Sequence, residues 1–483
     1  MQTARLKSGS PTDGIVLQAG VRRSLAALIA AGIIACDGPF DPEACVRPSV
    51  LQSSVSVIEK NVLAAALTAK VTSADSVFAR FSAVGQSNDD VTPAFDARSD
   101  TVTVPVLGLR EETQYRVTVV ARNSCGSRTG DMLHLTTGAL PSDLPRYSAS
   151  GDDAAPGYVA FAAGSYGVVI DNTGRVVWYH RFSSGPGLNF QPQGNGRYVA
   201  RPSPEPGAIA QWVEIDPLGR QTRTLGCAGG LNARFHDMIA RADSTYWVMC
   251  DETRAIDLEA FGLSSASLVM GTSVQRRSHD GSVLFQWSPF DHLAADPTAL
   301  EPIDLAGSVI NWTHGNAIDL DADGNLLVSF RNLSEITNID TATGAVRWRL
   351  GGARSEFTFD NGTAPPFARQ HGVRSTGTGQ LQLLDNLGEL GASRAERYAY
   401  DEIAKTARLT RAYAPVANIV ALTGGTTQPL HDGRTLVSFG SGGLVEEVDK
   451  TGRVVWRIDG NPGYVFRAHR IQSLYTPGKG DTR

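Results

Sequence analysis

The chain has 483 residues, which is long enough for two or three domains and a large buried core. Apolar residues make up 42% of it and glycine occurs 50 times, a composition typical of a turn-rich β protein. The formal net charge of -5 is close to balance, which argues against a nucleic-acid partner and against a general membrane-surface binder.

The first 36 residues have the pattern of an export signal. Arg22 and Arg23 precede an apolar stretch, 24–35, that is too short to cross a bilayer as a stable helix. The stretch ends in Ile-Ile-Ala-Cys, which resembles the bacterial lipobox. That resemblance implies cleavage before Cys36 and a lipid on its sulfur, which would tether the protein to a membrane. The alternatives are an ordinary secretory signal or an uncleaved anchor, and each predicts a periplasmic location for the rest of the chain.

Four cysteines remain after Cys36. An even number suits an exported protein with two disulfides. We expect Cys45 to pair with Cys125 and Cys227 with Cys250, because each pair then lies inside one predicted domain. Four buried thiols are the alternative.

Residues 47–138 are predicted to form a small β-sandwich. Apolar and polar residues alternate over 55–71, 76–81, 100–106 and 115–121, as strands require. Leu109 and Tyr115 stand before the last of these strands, and the stretch around them resembles the tyrosine corner of fibronectin type III domains. The resemblance implies a spacer or partner-contact module without a catalytic role. Residues 138–145, with two prolines, are the predicted linker.

After the linker a short phrase returns six times: an apolar residue, Asp, a turn with Gly, then β-branched residues that usually end in Trp. Its copies lie at 170–178, 215–219, 280–287, 339–348, 400–401 (a loose match) and 448–456. Each copy predicts a β-hairpin. Hairpins repeated at this spacing are typical of a propeller or a solenoid, because one unit cannot bury its own apolar face.

An apolar partner strand precedes each copy of the phrase. These strands are predicted at 157–161, 194–200, 243–249, 323–330, 377–384 and 432–439. The pattern therefore predicts an all-β fold in which a six-bladed β-propeller over 146–478 follows the sandwich. Residues 466–471 are expected to close the ring beside the first blade. Long loops are expected around 263–277 and 290–310, and long loops in compact domains are often functional.

Three histidines stand at matched places in successive predicted blades. His236, His314 and His371 each precede a partner strand by a few residues, and Arg331 follows the strand after His314. Equivalent positions in neighbouring blades converge on the central channel of a propeller. We therefore predict a functional cluster of these four side chains in the channel.

Five short motifs surround these residues. They are Trp-Thr-His-Gly-Asn-Ala at 312–317, Ser-Phe-Arg-Asn-Leu-Ser at 329–334, Trp-Arg-Leu-Gly-Gly at 348–352, Gln-His at 370–371 and Leu-Asp-Asn at 384–386. Together they resemble the bacterial arylsulfate sulfotransferase family over most of 150–478. The resemblance implies a six-bladed propeller of the cell envelope. It also implies transfer of a sulfuryl group from a phenolic sulfate ester to another phenol, with no nucleotide sulfate donor and no cofactor.

By the same resemblance, His371 would be a nucleophile that becomes transiently sulfated. His236 and His314 would supply protons or hydrogen bonds to the sulfuryl and phenolic oxygens, and Arg331 would hold the sulfate. The residue types suit these roles, because neutral imidazole is a competent nucleophile at neutral pH and guanidinium offers a planar fork of donors to an oxyanion. The chain has no phosphate-loop motif, which argues against a nucleotide-dependent sulfotransferase.

Asn316 and Asn386 are predicted as secondary donors to the substrate. Three alternatives stand beside the enzyme. The first is a non-enzymatic propeller that binds a ligand or a protein. The second is a metal site built from the three histidines, although no carboxylate with clear ligand spacing accompanies them. The third is a quinone-cofactor propeller, a class that typically has a vicinal cysteine pair, which does not occur in this sequence. With water as acceptor the enzyme would act as a sulfatase.

Overall fold

The structure is a computed structural model that describes residues 45–298, 300–360, 367–388 and 391–478. The predicted export signal 1–36 and the predicted lipidation site Cys36 lie outside the described residues. Within the described ranges, no helix is both long enough and apolar enough to pass through a membrane. Almost all regular structure is antiparallel β-sheet.

Nine strands form two sheets at the N-terminal end of the described chain. They are β1 (Ser49–Ile58), β2 (Asn61–Thr72), β3 (Ser76–Ala83), β4 (Asp90–Val91), β5 (Phe95–Asp96), β6 (Thr101–Leu107), β7 (Gln114–Asn123), β8 (Gly126–Thr129) and β9 (Leu133–Thr136). One sheet has the order β1-β2-β6, and the other is built around β3 and β7. The hydroxyl of Tyr115 accepts a hydrogen bond from the backbone N–H of Arg110 at 2.8 Å, the contact expected of a tyrosine corner. The likeness to fibronectin type III stays a prediction.

The remaining strands form six sheets. They are β10 (Ala149–Ser150), β11 (Tyr158–Ala163), β12 (Tyr166–Ile170), β13 (Val176–Arg181), β14 (Gly187–Gln193), β15 (Arg197–Pro202), β16 (Trp212–Ile215), β17 (Gln221–Leu225), β18 (Asn232–Ala240), β19 (Tyr246–Ile256), β20 (Ser267–Arg277), β21 (Val283–Trp287), β22 (Ile310–Asn311), β23 (Gly315–Leu320), β24 (Leu326–Phe330), β25 (Glu335–Ile339), β26 (Val346–Leu350), β27 (Thr358–Phe359), β28 (His371–Gly377), β29 (Gln380–Asp385), β30 (Arg394–Asp401), β31 (Thr406–Tyr413), β32 (Thr426–Pro429), β33 (Thr435–Ser438), β34 (Val445–Val448), β35 (Val454–Ile458) and β36 (Ala468–Ile471).

These sheets are the six predicted blades of a propeller. The innermost strands, in ring order, are β36, β14, β18, β23, β28 and β32, and each packs against the next around the ring. The last strand of the chain, β36, pairs antiparallel with β11, so that the first blade contains strands from both ends of the propeller. This confirms the predicted ring closure. The all-β fold with a six-bladed propeller after a small sandwich is therefore confirmed.

The repeated Asp explains why each phrase forms a hairpin. Every copy spans the turn between the third and fourth strands of a blade, counted from the channel. In the first blade, the carboxylate of Asp171 accepts hydrogen bonds from the backbone N–H groups of Thr173 and Arg175, which holds the tight turn. The carboxylate of Asp449 does the same in the last blade, for the N–H groups of Thr451 and Arg453.

Two of the tryptophans that end the phrases are hydrogen-bonded to a neighbouring blade. The indole N–H of Trp178 in the first blade donates to the carbonyl of Pro217 in the second, at 2.8 Å. The indole N–H of Trp456 in the last blade donates to Asn172 in the first, at 2.9 Å, and so bridges the closure of the ring. Both side chains are almost completely buried. Each indole therefore contributes apolar burial and one satisfied hydrogen bond to a blade interface.

One of the two loop predictions is wrong. Residues 263–277 were expected to form a long loop, but most of them belong to the eleven-residue strand β20. Gly271 interrupts the alternation of apolar and polar side chains in this strand. A side chain is excluded at this position because a Cβ there would meet Pro289 and Phe290. The second predicted loop, 290–310, holds two short helices, α1 (Pro289–His292) and α2 (Pro302–Leu305). Two 3₁₀ turns lie elsewhere, at Glu259–Phe261 and His431–Gly433.

The four cysteines after Cys36 are all oxidised. Cys227 and Cys250 form a disulfide, as predicted, and it joins the end of the second blade to the third. Cys45 and Cys125 are also disulfide-bonded. Disulfides persist in oxidising compartments, so the folded chain belongs outside the cytosol.

Candidate active site

The innermost strands bring the three predicted histidines to one end of the channel. His236 lies within β18, His314 directly precedes β23, and His371 is the first residue of β28. Strands β23 and β28 are neighbours, and their starts lie side by side. The side chain of Asn316, near the start of β23, donates to the carbonyl of Gln370, just before β28. The imidazole rings of His236 and His314 have centroids 4.9 Å apart, and those of His236 and His371 lie 6.4 Å apart.

His236 and His314 form a directly hydrogen-bonded pair. The amide nitrogen of Asn311 donates to Nδ1 of His314 at 2.7 Å, so the proton of this imidazole is on Nε2. His314 Nε2 then donates to Nε2 of His236 at 3.2 Å. Nδ1 of His236 is buried and has no hydrogen-bond partner among the described residues. One nitrogen of the pair is therefore left to act on another molecule.

His371 is held in the opposite tautomer. Its Nδ1 lies 2.8 Å from Oδ1 of Asn386 and 3.1 Å from the carbonyl of Arg369, and both of these oxygens can only accept. The Asn386 amide is oriented by its own nitrogen, which donates to the carbonyls of Ala421 and Gly424. The proton of His371 is therefore on Nδ1. The lone pair on Nε2 accepts a hydrogen bond from the backbone N–H of Gly424 at 3.3 Å.

All three imidazoles are kept neutral by their surroundings. Burial lowers the pKa of His371 to about 3, against the opposing hydrogen bond to Asn386. Burial, followed by the charge of Arg234, also holds the pKa values of His236 and His314 well below the ordinary histidine value. At neutral pH the cluster therefore presents uncharged nitrogens, which can attack an electrophile or accept a proton.

Two guanidinium groups lie beside the histidines. The charge of Arg331 contributes to the lowered pKa values of both His314 and His371, and Arg369 directly precedes the Gln-His segment. Burial and then the charge of Arg369 lower the pKa of Arg331. The guanidinium of Arg369 is already paired with two carboxylates, Glu301 at 3.1 Å and Asp304 of α2 at 3.4 Å.

The backbone is constrained at two of these positions. His314 and Arg369 both have positive φ angles, of 47° and 56°, although neither is glycine. The carbonyl of His314 accepts a hydrogen bond from the N–H of Arg331 at 3.0 Å, which helps to hold this conformation. Left-handed non-glycine residues are uncommon and often mark functional sites.

An aromatic wall lies against the imidazoles. The ring of Phe466 has its centroid 5.6 Å from that of His236 and 6.3 Å from that of His371. Phe235 stacks on His236 at 4.0 Å and packs edge-on against Phe466 at 5.9 Å. Phe466 comes from the segment that closes the ring, so the end of the chain completes this wall.

The two predicted asparagines contact protein atoms. Asn386 binds His371, as described above, and the side-chain nitrogen of Asn316 donates to the carbonyl of Gln370 at 2.6 Å. Oδ1 of Asn316 is buried and unpartnered among the described residues. Both side chains therefore brace the segment that carries His371.

Several neighbours were missed by the sequence reasoning. They are Asn311, Arg369, Gly424, Phe466 and the ion-paired Asp237, Arg374 and Arg467. Asp237 directly follows His236, and Arg374 lies three positions from His371, so proximity in sequence was the available signal for these two; Arg467 is far from every predicted site residue in the sequence. The carboxylate of Asp237 lies 3.0 Å from the guanidinium of Arg374 and 3.1 Å from that of Arg467.

Within the described ranges, no group of three or more His, Cys, Asp or Glu side chains is arranged to hold a metal ion.

Comparisons with solved structures return proteins of low identity. A Bacteroides caccae protein of unknown function is 14% identical, over 66% of this chain and 100% of that one, with a TM-score of 0.42. A streptogramin B lyase is 11% identical, over 56% and 82% of the two chains, with a TM-score of 0.32. A catalytically inactive virginiamycin B lyase from Staphylococcus aureus is 8% identical, over 64% and 88%, with a TM-score of 0.36. Comparison with curated proteins finds no significant match.

The family assignment comes from the part of the chain that carries the histidine cluster. Residues 232–461 match the arylsulfotransferase (ASST) family, and this range includes His236, His314, Arg331 and His371. The resemblance noted in the short motifs is thereby confirmed, and the family implies aryl sulfate sulfotransferase activity. The segment 232–461 therefore matches the arylsulfotransferase (ASST) family, and this family domain supports an arylsulfotransferase enzyme.

Proposed function

We propose that the protein transfers a sulfuryl group from a phenolic sulfate ester to a phenol through a covalent intermediate on Nε2 of His371, without a nucleotide sulfate donor. The observation that carries the proposal is the hydrogen bonding of His371. Asn386 holds the proton on Nδ1, which leaves the lone pair of Nε2 available for attack. Burial keeps the ring neutral, because it lowers the pKa of His371 to about 3. A positioned neutral imidazole splits one difficult transfer into two easier ones.

In the first half-reaction, Nε2 of His371 attacks the sulfur and the bond from sulfur to the phenolic oxygen breaks. The phenol leaves and the sulfuryl group remains on the imidazole. In the second half-reaction, the oxygen of the acceptor phenol attacks the same sulfur and the bond to Nε2 breaks. Sulfuryl transfer resembles phosphoryl transfer, in which positioning and charge stabilisation supply most of the catalysis.

The sulfuryl oxygens need donors that are already in place. Arg331 is the proposed donor to a sulfuryl oxygen, because its charge acts on both His314 and His371. The N–H of Gly424 donates to Nε2 of His371 when no substrate is bound. As sulfur approaches Nε2, this N–H can transfer its hydrogen bond to a sulfuryl oxygen, so the same group would serve both states.

The proton of the phenol is assigned to the pair of His236 and His314. In the neutral pair each imidazole carries one proton, on Nε2 of His314 and on Nδ1 of His236. The negative charge of a bound sulfate ester raises the pKa of nearby imidazoles, so the pair would take up one further proton from solvent when the ester binds. This additional proton would pass to the leaving phenolate, and the pair would later recover a proton from the acceptor phenol.

We expect the aryl group of the ester to lie against the aromatic rings beside this pair. Phe466 and Phe235 present an apolar aromatic wall against His236. Aromatic rings prefer offset or edge-on contacts at such centroid distances. The wall therefore favours a phenolic ester over an aliphatic one.

We further propose a positioning role for Asn316 and Asn386 in place of direct contact with substrate, because their amide nitrogens already donate to backbone carbonyls. The division into a fibronectin-like domain at 47–138 and a propeller at 146–478 is also a proposal. Its support is that strands of the first sheets end at Thr136 and strands of the propeller begin at Ala149. The lipid anchor on Cys36 remains a proposal from the lipobox pattern alone.

The deciding experiment is intact-protein mass spectrometry of the purified soluble chain mixed with p-nitrophenyl sulfate and no acceptor. We expect a gain of one sulfuryl group together with release of p-nitrophenol in the wild-type protein. His371→Ala should show neither. Peptide mapping should place the group on the segment that contains residue 371, and later addition of phenol should remove it.

His134→Ala is the matched control, because His134 is an exposed histidine on β9, far from the channel in sequence and fold. It should sulfate as the wild type does. An adduct on His371→Ala, or turnover with phenol without any adduct, would contradict the covalent route. Absence of adduct and of turnover with a panel of sulfate esters would favour a binding propeller.

A further inference from the structure

A surface groove leads from the edge of the propeller toward the histidine cluster. It has a volume of ≈ 770 Å³ and is lined in part by 459–464, the segment between β35 and β36. Its outer end is lined by Arg146 and Tyr147, just before β10, which pairs with the outermost strand of the last blade. Its inner end is lined by Tyr464 and by Leu188 of the innermost strand β14. The groove therefore reaches the channel.

The inner end of the groove is connected to the histidines by short contacts. On β14, the side chain of Asn189 donates to the carbonyl of His236 at 2.8 Å. In the other segment, the ring centroid of Tyr464 lies 6.3 Å from that of Phe466. Phe466 in turn contacts Phe235, which stacks on His236. A row of three aromatic rings therefore begins against the histidines and ends in the groove.

The side chains at the inner end are apolar and open to solvent. Leu188 is 39% exposed and Tyr464 is 41% exposed, so a ligand in the groove can touch both. Covering such side chains with an apolar group removes surface of both partners from water, which is favourable in proportion to the area covered. The inner end of the groove therefore suits an apolar group.

The two charged side chains that line the groove already have partners. Arg146 pairs with Glu111 at 2.8 Å, and the carboxylate of Asp459 accepts a hydrogen bond from the hydroxyl of Ser150 at 2.6 Å. The other lining residues are uncharged, and most of them are proline, glycine, alanine or tyrosine. A charged group placed here would lose water without gaining a counter-ion. The lining therefore favours an uncharged group.

The geometry of sulfuryl transfer directs part of the substrate toward this groove. In-line displacement places the phenolic oxygen on the side of the sulfur opposite Nε2 of His371. The leaving phenol and the acceptor phenol therefore occupy the same position in turn. A substituent opposite the phenolic oxygen points away from His371, and the row of rings continues from the aromatic wall into the groove.

We propose that the groove is a subsite for the substituent of the phenol, and that Leu188 and Tyr464 select phenols that carry a second, uncharged aromatic ring. That ring lies against these two side chains while the phenolic oxygen faces His371. The same subsite serves the donor ester and the acceptor, because both phenols occupy one position. The inference rests on the function proposed above and narrows its substrate class.

The test measures binding without turnover. The purified wild-type chain is titrated calorimetrically with phenol, 4-phenylphenol and 4′-hydroxybiphenyl-4-carboxylate, with no sulfate ester present. We expect 4-phenylphenol to bind at least about tenfold more tightly than phenol, as burial of one further aromatic ring implies. The carboxylate should bind more weakly than 4-phenylphenol, because the groove has no unpaired cation for it.

Four variants locate the contact. Leu188→Ala and Tyr464→Ala should each reduce the preference for 4-phenylphenol over phenol by about three- to tenfold, because each removes part of the covered apolar surface. Tyr464→Phe keeps the ring and should keep the preference. Leu284→Ala is the matched control, since Leu284 is an exposed leucine on β21, outside the groove, and its removal should leave the preference unchanged.

The proposal is overturned if 4-phenylphenol binds no more tightly than phenol, if the carboxylate binds more tightly than 4-phenylphenol, or if the preference survives both alanine variants. The outcome for the groove is separate from that for sulfuryl transfer. A preference that depends on Leu188 and Tyr464 supports the groove even in a chain that forms no adduct with p-nitrophenyl sulfate. An adduct without such a preference supports the transfer and overturns the groove.

Discussion

The side-chain oxygen of Asn386 lies 2.8 Å from Nδ1 of His371, and the nitrogen of the same amide donates to two backbone carbonyls of the segment that covers His371. A single buried side chain thus sets both the tautomer of the imidazole and the position of the Gly424 N–H that faces its other nitrogen. The orientation of the His371 ring and the position of the Gly424 N–H are therefore coupled through Asn386.

Asn386→Ala should therefore lower the rate of sulfation of His371. We expect a fall in kcat of about 10- to 100-fold with a smaller change in KM, because the wrong tautomer removes transition-state binding more than ground-state binding. Burst kinetics with p-nitrophenyl sulfate measure this. Asn338→Ala is the control, since Asn338 is equally buried in another blade and binds Asp321. Equal losses in the two variants would mean that the effect of Asn386 is general destabilisation.

Gly424→Ala tests the cover over Nε2. Gly424 has a φ angle of 70°, and a Cβ there would come within 2.8 Å of Phe466 and Tyr464. Gly460→Ala is a matched control, because Gly460 has the same φ angle and open space around it. Both variants should lose about 1 kcal/mol of unfolding free energy from the left-handed conformation. The sulfation rate should fall more than tenfold in Gly424→Ala alone. Similar rates in the two variants would argue against a role for the covering segment.

The sulfation rate should be insensitive to pH over a wide range. Burial lowers the pKa of His371 to about 3, so the attacking nitrogen stays unprotonated well below neutral pH. The single-turnover rate with p-nitrophenyl sulfate, whose leaving group needs little protonation, should be flat between about pH 5 and pH 8. A fall to half the plateau rate near pH 6.5 would show that the nucleophile has an ordinary histidine pKa.

The same buried histidines should make stability depend on pH. An unfolded histidine gains a proton below about pH 6.5, whereas folded His236 does not, so the unfolded state binds more protons and the free energy of unfolding falls as pH falls. The contribution of one histidine is at most about 1.4 kcal/mol per pH unit. The free energy of unfolding, measured by urea denaturation at pH 7, 6 and 5, should therefore fall less with falling pH in His236→Gln than in the wild type. Buried carboxyls have the opposite effect on stability: burial raises the pKa of Glu396 to about 7, so such groups stabilise the folded state as pH falls. They are present in both the wild type and His236→Gln, so their effect cancels when the two proteins are compared.

Removal of the disulfide between the second and third blades should destabilise the propeller. It closes a loop with a sequence separation of 23 residues. A loop of that length is expected to contribute about 3 kcal/mol through the unfolded state. Cys227→Ala with Cys250→Ala should therefore lower the urea midpoint while the sulfation rate per folded molecule stays the same. An unchanged midpoint would place the role of this bond in folding kinetics.

Much of the fold could be predicted because the information is local. The Asp of each hairpin caps a turn within four residues, and the Trp that follows packs on the next blade, so a repeated phrase implies a repeated hairpin. Strand β20 was missed because Gly271 and two serines hide its alternation, and the reason for the glycine is contact with α1, far along the chain.

The histidines of the candidate site could be predicted from the sequence, but the groups that surround them could not. His236, His314 and His371 were found because equivalent repeat positions meet in a channel. The N–H of Gly424 and the ring of Phe466 come from other blades, and neither belongs to a residue type or spacing that marks chemistry in a sequence. Likewise, the left-handed conformation of Arg369 depends on the packing of the ring.

Closure of the ring by the last strand also sets the order in which the enzyme can become active. The first blade lacks its innermost strand until residues 468–471 have been made, and Phe466, just before them, completes the wall beside the histidines. A partly synthesised chain can hold all three histidines and still have an open channel. If His371 is the nucleophile proposed above, a truncation that removes only the final strand should therefore prevent its sulfation, although all three histidines are still present.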